Sequence, residues 1–128
     1  MHIAHTHPSR STARRSAYAM LTALLLAAAI AEVHYGDTGW WRFAAFLIAP
    51  DLALLLGFGA NLEKGQLHRR AVPLYNAAHS FWGPALLAAA SLLLPAGWIV
   101  GGLAWALHIA MDRTIGYGMR TRDGFQRS

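Results

Sequence analysis

Asp51, Asn76, His79, His108 and Asp112 stand inside stretches that are otherwise apolar and long enough to cross a bilayer. A charged or imidazole group at membrane depth costs roughly 2.5 kcal/mol or more, so such groups are rare without a role. Two imidazoles and two carboxylates, His79, His108, Asp51 and Asp112, are a sufficient donor set for a divalent metal such as zinc, manganese or iron. Tyr75 and Asn76 share a helix face with His79, and His108 shares one with Asp112. Tyr75 or Asn76 would then hold a ligand in orientation from behind. Arg113 adjoins Asp112, where it can neutralise Asp51 or reach for the headgroups. Tyr117, between Gly116 and Gly118, can fold back toward the site where the helix ends.

Three chemistries fit these residues. Buried Asp and His can pair with each other, or with Arg and Tyr, and fasten a helix bundle. They can hold a metal that polarises water, with Asp51 or Asp112 as a base instead of a ligand. They can line a proton or ion path, although four short helices enclose little room for one. The chain has no cysteine, which excludes disulfides, thiolate metal sites and thiol nucleophiles.

The elements that position these residues read as an all-α integral membrane bundle of four transmembrane helices, with both termini cytoplasmic. Of the 128 residues, 55% are hydrophobic and 13% charged, against about 25% charged in soluble domains. Residues 1–16 read as a disordered cytoplasmic tail, in which His2, His5 and His7 are more readily solvated than metal-bound. Residues 17–119 form the four-helix domain, and residues 120–128 a second cytoplasmic tail. The spans fall at 17–33, 40–59, 71–94 and 98–119, with a polar loop at 60–70 and a turn at Pro95-Ala96-Gly97. Arg14-Arg15, a short apolar core and Ala29-Ile30-Ala31 also fit a signal peptide, but we read a retained span.

Trp40 and Trp41 mark a membrane interface. Pro50 interrupts the second span beside Asp51 and leaves the carbonyl of Phe46 without its helical donor. Pro84 is a second expected kink. Gly97 and Gly101 permit close helix approach, including to a second copy of the chain. Trp82, Trp98 and Trp105 read as packing or interface residues.

Ten of the eleven Lys and Arg residues fall on one side of this topology, and only Arg42 on the other. That asymmetry places both termini and the second loop in the cytoplasm. It also places the site residues in one layer of the inner leaflet. By helical rise Asp51 is about 13 Å in, His79 about 12 Å, His108 about 16 Å and Asp112 about 10 Å. The net charge of +5 belongs with lipid phosphates. No basic helix face or stacking motif accompanies it, so nucleic acid is not an expected partner.

Pro50-Asp51-Leu52, Tyr75-Asn76-Ala77-Ala78-His79-Ser80 with Pro84, the run from Ala106 to Arg113, and Gly116-Tyr117-Gly118 resemble a family of small bacterial membrane proteins, DUF4260. The resemblance covers residues 40–125. It implies a multi-pass protein of the bacterial inner membrane without an established activity. The loop at 61–70 is longer and more charged than that family's pattern. The Thr-His stretch expected after Gly124-Phe125 is missing, as is a carboxylate near the start of span one, where this chain reads Ala17-Tyr18-Ala19. Ala78-His79-Ser80 and the His108–Asp112 pair are also similar in shape to motifs of membrane-bound metal-dependent hydrolases. By that analogy the alternative function is hydrolysis of a lipid-associated substrate.

Overall fold

The computed structural model describes residues 10–127; His2, His5 and His7 lie outside them. The fold is all-α. Five α-helices follow in order: α1 (Arg10–Gly36), α2 (Trp41–Ile48), α3 (Val72–Ala78), α4 (Trp82–Ala90) and α5 (Trp98–Thr114). Two 3-10 helices occupy Ala49–Gly57 and Arg69–Ala71. There is no strand among the described residues, only an isolated bridge between Arg120 and Gln126.

Helix α5 is the hub, packed against α1, α2 and α4. Its buried residues include Val100, Gly101, Gly102, Ala104, Leu107, His108, Ile109 and Ala110. Small residues make this possible. A Cβ on Gly101 would press on the Phe46 ring, and one on Gly102 would press on the α4 backbone at Pro84 and Ala88. The small face expected at Gly101 is thus covered from within the chain. Gly97 sits at φ +100°, in the left-handed region where glycine escapes the Cβ penalty, and turns the chain into α5. At the other end, Gly116 at φ +99° and the bond from Tyr117 N–H to the Asp112 carbonyl close the helix. This is the glycine-terminated ending expected there.

Two of the expected spans are not continuous α-helices. Residues 40–59 begin as α2 and tighten into the 3-10 helix at Ala49, one residue before Pro50. Runs of this kind rarely exceed three or four residues and often mark a functional hinge. Residues 71–94 break between α3 and α4 at His79, Ser80 and Phe81. Pro84 explains the position: it has no N–H to offer the Ser80 carbonyl, four residues back. Helix α1 extends further than expected, because Arg10–Ser16, read as tail, are helical. It is the one described helix long and apolar enough to cross a membrane.

The polar loop and the C-terminal residues form a built layer, where the sequence reading had a loop and a free tail. Asn76 on α3 donates to the Arg120 carbonyl at 3.0 Å and accepts from the Arg120 N–H at 2.7 Å. Leu67 N–H donates to the Gly124 carbonyl, Gln66 to the Asp123 carbonyl, and Arg69 pairs with Asp123. A Cβ on Gly124 would overlap the Leu67 backbone, so the close approach requires glycine. Arg70 donates to the carbonyls of Leu56 and Phe58 and so satisfies the end of the long 3-10 helix.

This layer yields a test. Asn76→Leu removes both bonds to Arg120 and strands a backbone N–H and a carbonyl. The expected loss is about 2 kcal/mol at roughly 1 kcal/mol per bond. Hydrogen exchange should accelerate across residues 118–127 and leave α5 protected. Unchanged exchange in that segment would show that Asn76 does not hold it.

Candidate metal centre

His108 and Asp112 come from one face of α5, one helical turn apart. His79 comes from the break after α3, and Asp51 from the 3-10 helix just past Pro50. The four meet. His79 Nε2 lies 3.3 Å from Asp51 Oδ1 and 3.4 Å from Asp112 Oδ2. His108 Nε2 lies 3.2 Å from Asp51 Oδ1 and 3.3 Å from Asp112 Oδ2. The two Nε2 atoms are 3.4 Å apart. One ligand atom from each residue falls within 4.8 Å of all the others.

Backbone carbonyls fix the rings. His108 Nδ1 is 2.7 Å from the Leu47 carbonyl, and His79 Nδ1 is 2.8 Å from the Tyr75 carbonyl. A carbonyl only accepts, so both Nδ1 atoms carry the proton and both Nε2 atoms face the centre. The Leu47 carbonyl is free for a reason written in the sequence. In a 3-10 turn its donor would be the N–H of Pro50, and proline has none. The expectation of a free carbonyl at Phe46 assumed α-helical spacing. The Ala49 N–H still bonds the Ala45 carbonyl, so Phe46 lacks its helical donor as expected. The tighter winding frees the Leu47 carbonyl besides, and His108 uses that one.

Behind His79 the Tyr75 ring stacks at 3.9 Å between centroids. Gln126 donates to the Tyr75 hydroxyl at 3.2 Å, and the Arg120 guanidinium lies over the Tyr75 ring. Arg113 donates to the His79 carbonyl at 3.1 Å and to the Tyr18 hydroxyl at 3.2 Å. It makes no ion pair with Asp51. Tyr18 thus faces Arg113 from the region of α1 where the resemblance implies a carboxylate.

Asn76 does not reach the cluster, because both ends of its amide are taken by Arg120. Tyr117 does not return to it either, and is exposed beside an arginine-lined cavity. The sequence reading missed Tyr18, Leu47, Arg120 and Gln126. For Leu47 alone a signal existed, in the proline three residues later.

The family profile of DUF4260, a domain of unknown function, matches residues 16–128. The chain belongs to this family. Comparison with curated proteins and with solved structures found no match.

The set can do two things chemically. As a hydrogen-bonded network it needs protons on Nε2, and one such proton links only two of the four acceptors. As a metal site it satisfies all four at once. Nitrogen and oxygen ligands at about 2.0–2.2 Å from a tetrahedral zinc lie about 3.3–3.6 Å apart. Five of the six distances of such a set fall at or just under that range, and the sixth, between the two carboxylates, is within 4.8 Å. His79 and His108 are buried, Asp112 is 22% exposed and Asp51 49% exposed, so the centre opens on the Asp51 side.

Cobalt(II) tests the geometry. Added to the metal-stripped full chain in detergent, it should give the intense visible absorption of a four-coordinate tetrahedral ion. His108→Ala should abolish the band. The pale spectrum of a six-coordinate ion in the wild type would contradict the tetrahedral reading.

Proposed function

We propose that the chain is a multi-pass membrane protein whose Asp51, His79, His108 and Asp112 hold a divalent metal, zinc first, in the inner-leaflet half of the bundle. The observation that carries the metal reading is the set of five contacts at 3.2–3.4 Å among atoms that are all electron-pair donors. Hydrogen bonds alone would favour a few pairs near 2.7–3.2 Å without a common centre.

The membrane reading draws support from α1. Its most apolar 18-residue window is only 11% buried, whereas the core helix of a soluble protein would be covered. Met20 and Leu24 on α1, Leu55, Leu86, and Leu92 and Leu93 after α4 also show their side chains outward. An exposed apolar surface of this extent needs lipid or a partner to cover it. The arginine asymmetry supports cytoplasmic termini and a place in the inner membrane. Under this reading α2 with its 3-10 continuation, α3 with α4, and α5 are the remaining crossings. Irregular backbone at membrane depth is tolerated where protein buries it or a cavity takes it up, and the freed Leu47 carbonyl is accordingly bonded.

A hydrolytic role is the second reading, favoured by the half-exposed Asp51. A bound divalent metal would supply Lewis acidity and lower the pKa of water to about 7. His79 and His108, held by their Nδ1 bonds, serve as fixed ligands in this reading. In this reading Asp51 is not a ligand; it is the base placed to take a proton at the open side, and His79, His108 and Asp112 would hold the metal.

Metal analysis of the purified full chain tests the first reading. We expect close to one zinc per chain in the wild type and none above background in a His79→Ala, His108→Ala variant. Equal metal in both would refute the centre. For the membrane topology, reporter fusions at the C-terminus and at the 60–70 loop should both score cytoplasmic. For hydrolysis, the zinc-loaded chain is assayed on p-nitrophenyl phosphate and p-nitrophenyl octanoate. Asp51→Asn should abolish turnover and keep the zinc, and absence of turnover in the wild type would sink this second reading alone.

A further inference from the structure

Arg10, Arg14, Arg15, Arg113 and Arg127 gather around one cavity of about 320 Å³ at the ends of α1 and α5. Among the described residues the one carboxylate paired with an arginine or lysine is Asp123, on Arg69. Among the described residues no carboxylate pairs with any of these five cations. Like charges held together repel unless an anion joins them. Planar guanidinium groups match phosphate oxygens two at a time, which makes such a cluster a phosphate receptor before a carboxylate one.

A second cavity, about 660 Å³, is apolar and is walled by Phe46, Pro50, Leu74, Trp82, Leu86 and Trp105. A third links the two. It shares Ser80 and Trp82 with the apolar cavity and Arg113 with the arginine cavity. A continuous surface thus runs from an apolar groove, past the break at Ser80, to a cationic basin. Its polarity is that of a molecule with a hydrocarbon chain at one end and a phosphate at the other. The basin also lies on the side where the arginine asymmetry places the inner-leaflet headgroups.

We propose that this surface binds one anionic phospholipid, with the phosphate on the arginines and an acyl chain along Trp82 and Trp105. The proposal rests on the membrane reading and does not need the metal. Arg113 would join the two sites physically, since its guanidinium lines the basin and also holds the carbonyl of His79.

The test uses the full chain in neutral detergent with EDTA. Phosphatidic acid with brominated chains is titrated against tryptophan fluorescence, beside phosphatidylcholine with the same chains. Bromine quenches indole on contact, and Trp82 and Trp105 line the groove. Trp40, Trp41 and Trp98 lie toward the far end of the bundle and give the same background with both lipids.

Phosphatidic acid should reach half-maximal quenching at a concentration about tenfold lower than phosphatidylcholine, with the gap narrowing as salt rises. An Arg10→Gln, Arg14→Gln, Arg127→Gln variant should lose that preference. Equal quenching by the two lipids in the wild type overturns the proposal, whether or not the variant folds. Displacement by inorganic phosphate at the lipid's own concentration overturns the lipid assignment in favour of the free anion. A failure of the membrane reading is seen separately, as a chain that stays in solution when detergent is removed.

Discussion

Two imidazole Nε2 atoms 3.4 Å apart, with carboxylate oxygens 3.2–3.4 Å from both, repel one another unless positive charge lies among them. The rings cannot relieve this by flipping. Each has its Nδ1 proton committed to a backbone carbonyl. A flipped His108 ring would leave the Leu47 carbonyl unsatisfied, at a cost of about 1–3 kcal/mol. A flipped His79 ring would give up one of the two bonds that the Tyr75 carbonyl accepts. The carbonyls therefore impose the convergence and the centre must supply the charge. A proton supplies it for one pair of acceptors, and a divalent cation for all of them. This constraint gives the surrounding structure its purpose.

The irregular backbone follows from it. A straight second span would keep the Leu47 carbonyl in the helical ladder, and His108 would have nothing to hold its ring. Pro50 removes the competing donor, and the 3-10 winding after it turns Asp51 toward α5. A straight third span would carry His79 onward as a helical residue. The break at Ser80 instead lets the Tyr75 carbonyl accept both the backbone and the ring N–H of His79. It also leaves the His79 carbonyl for Arg113. In an apolar setting each freed backbone group needs such a partner, and each of these has one.

The four-residue cluster was legible in the sequence because it rests on composition and register. His and Asp in apolar stretches are expensive, and helical rise places them at similar depth whatever the details of packing. The membership of DUF4260 was legible from the same motifs. The support around the cluster was not. Asn76 looked like a neighbour of the ligands because it shares their stretch, yet its amide is a two-way match for the Arg120 backbone and turns away. Arg120 and Gln126 looked like tail residues, since a polar segment has the same composition whether it is solvated or clamped on a helix. The carbonyl freed at Phe46 was legible, but the second one at Leu47 was not, because the choice between α and 3-10 winding after the proline is set by tertiary contact.

The C-terminal layer is part of the site for the same reason that the carbonyls are. Tyr75 carries the carbonyl that orients His79 and the ring that stacks on it. Its own position is fixed by Gln126 at the hydroxyl and Arg120 over the ring face. Those two residues are held in turn by Asn76 and by backbone bonds around Gly124. The chain from Gly124 to His79 is thus one run of polar contacts, each capped by the next. It reaches the one ligand on a helix break, where the backbone alone would leave the ring free to move. His108 and Asp112, on the regular helix α5, need no such buttress beyond the Leu47 carbonyl. The support is placed where the secondary structure is weakest.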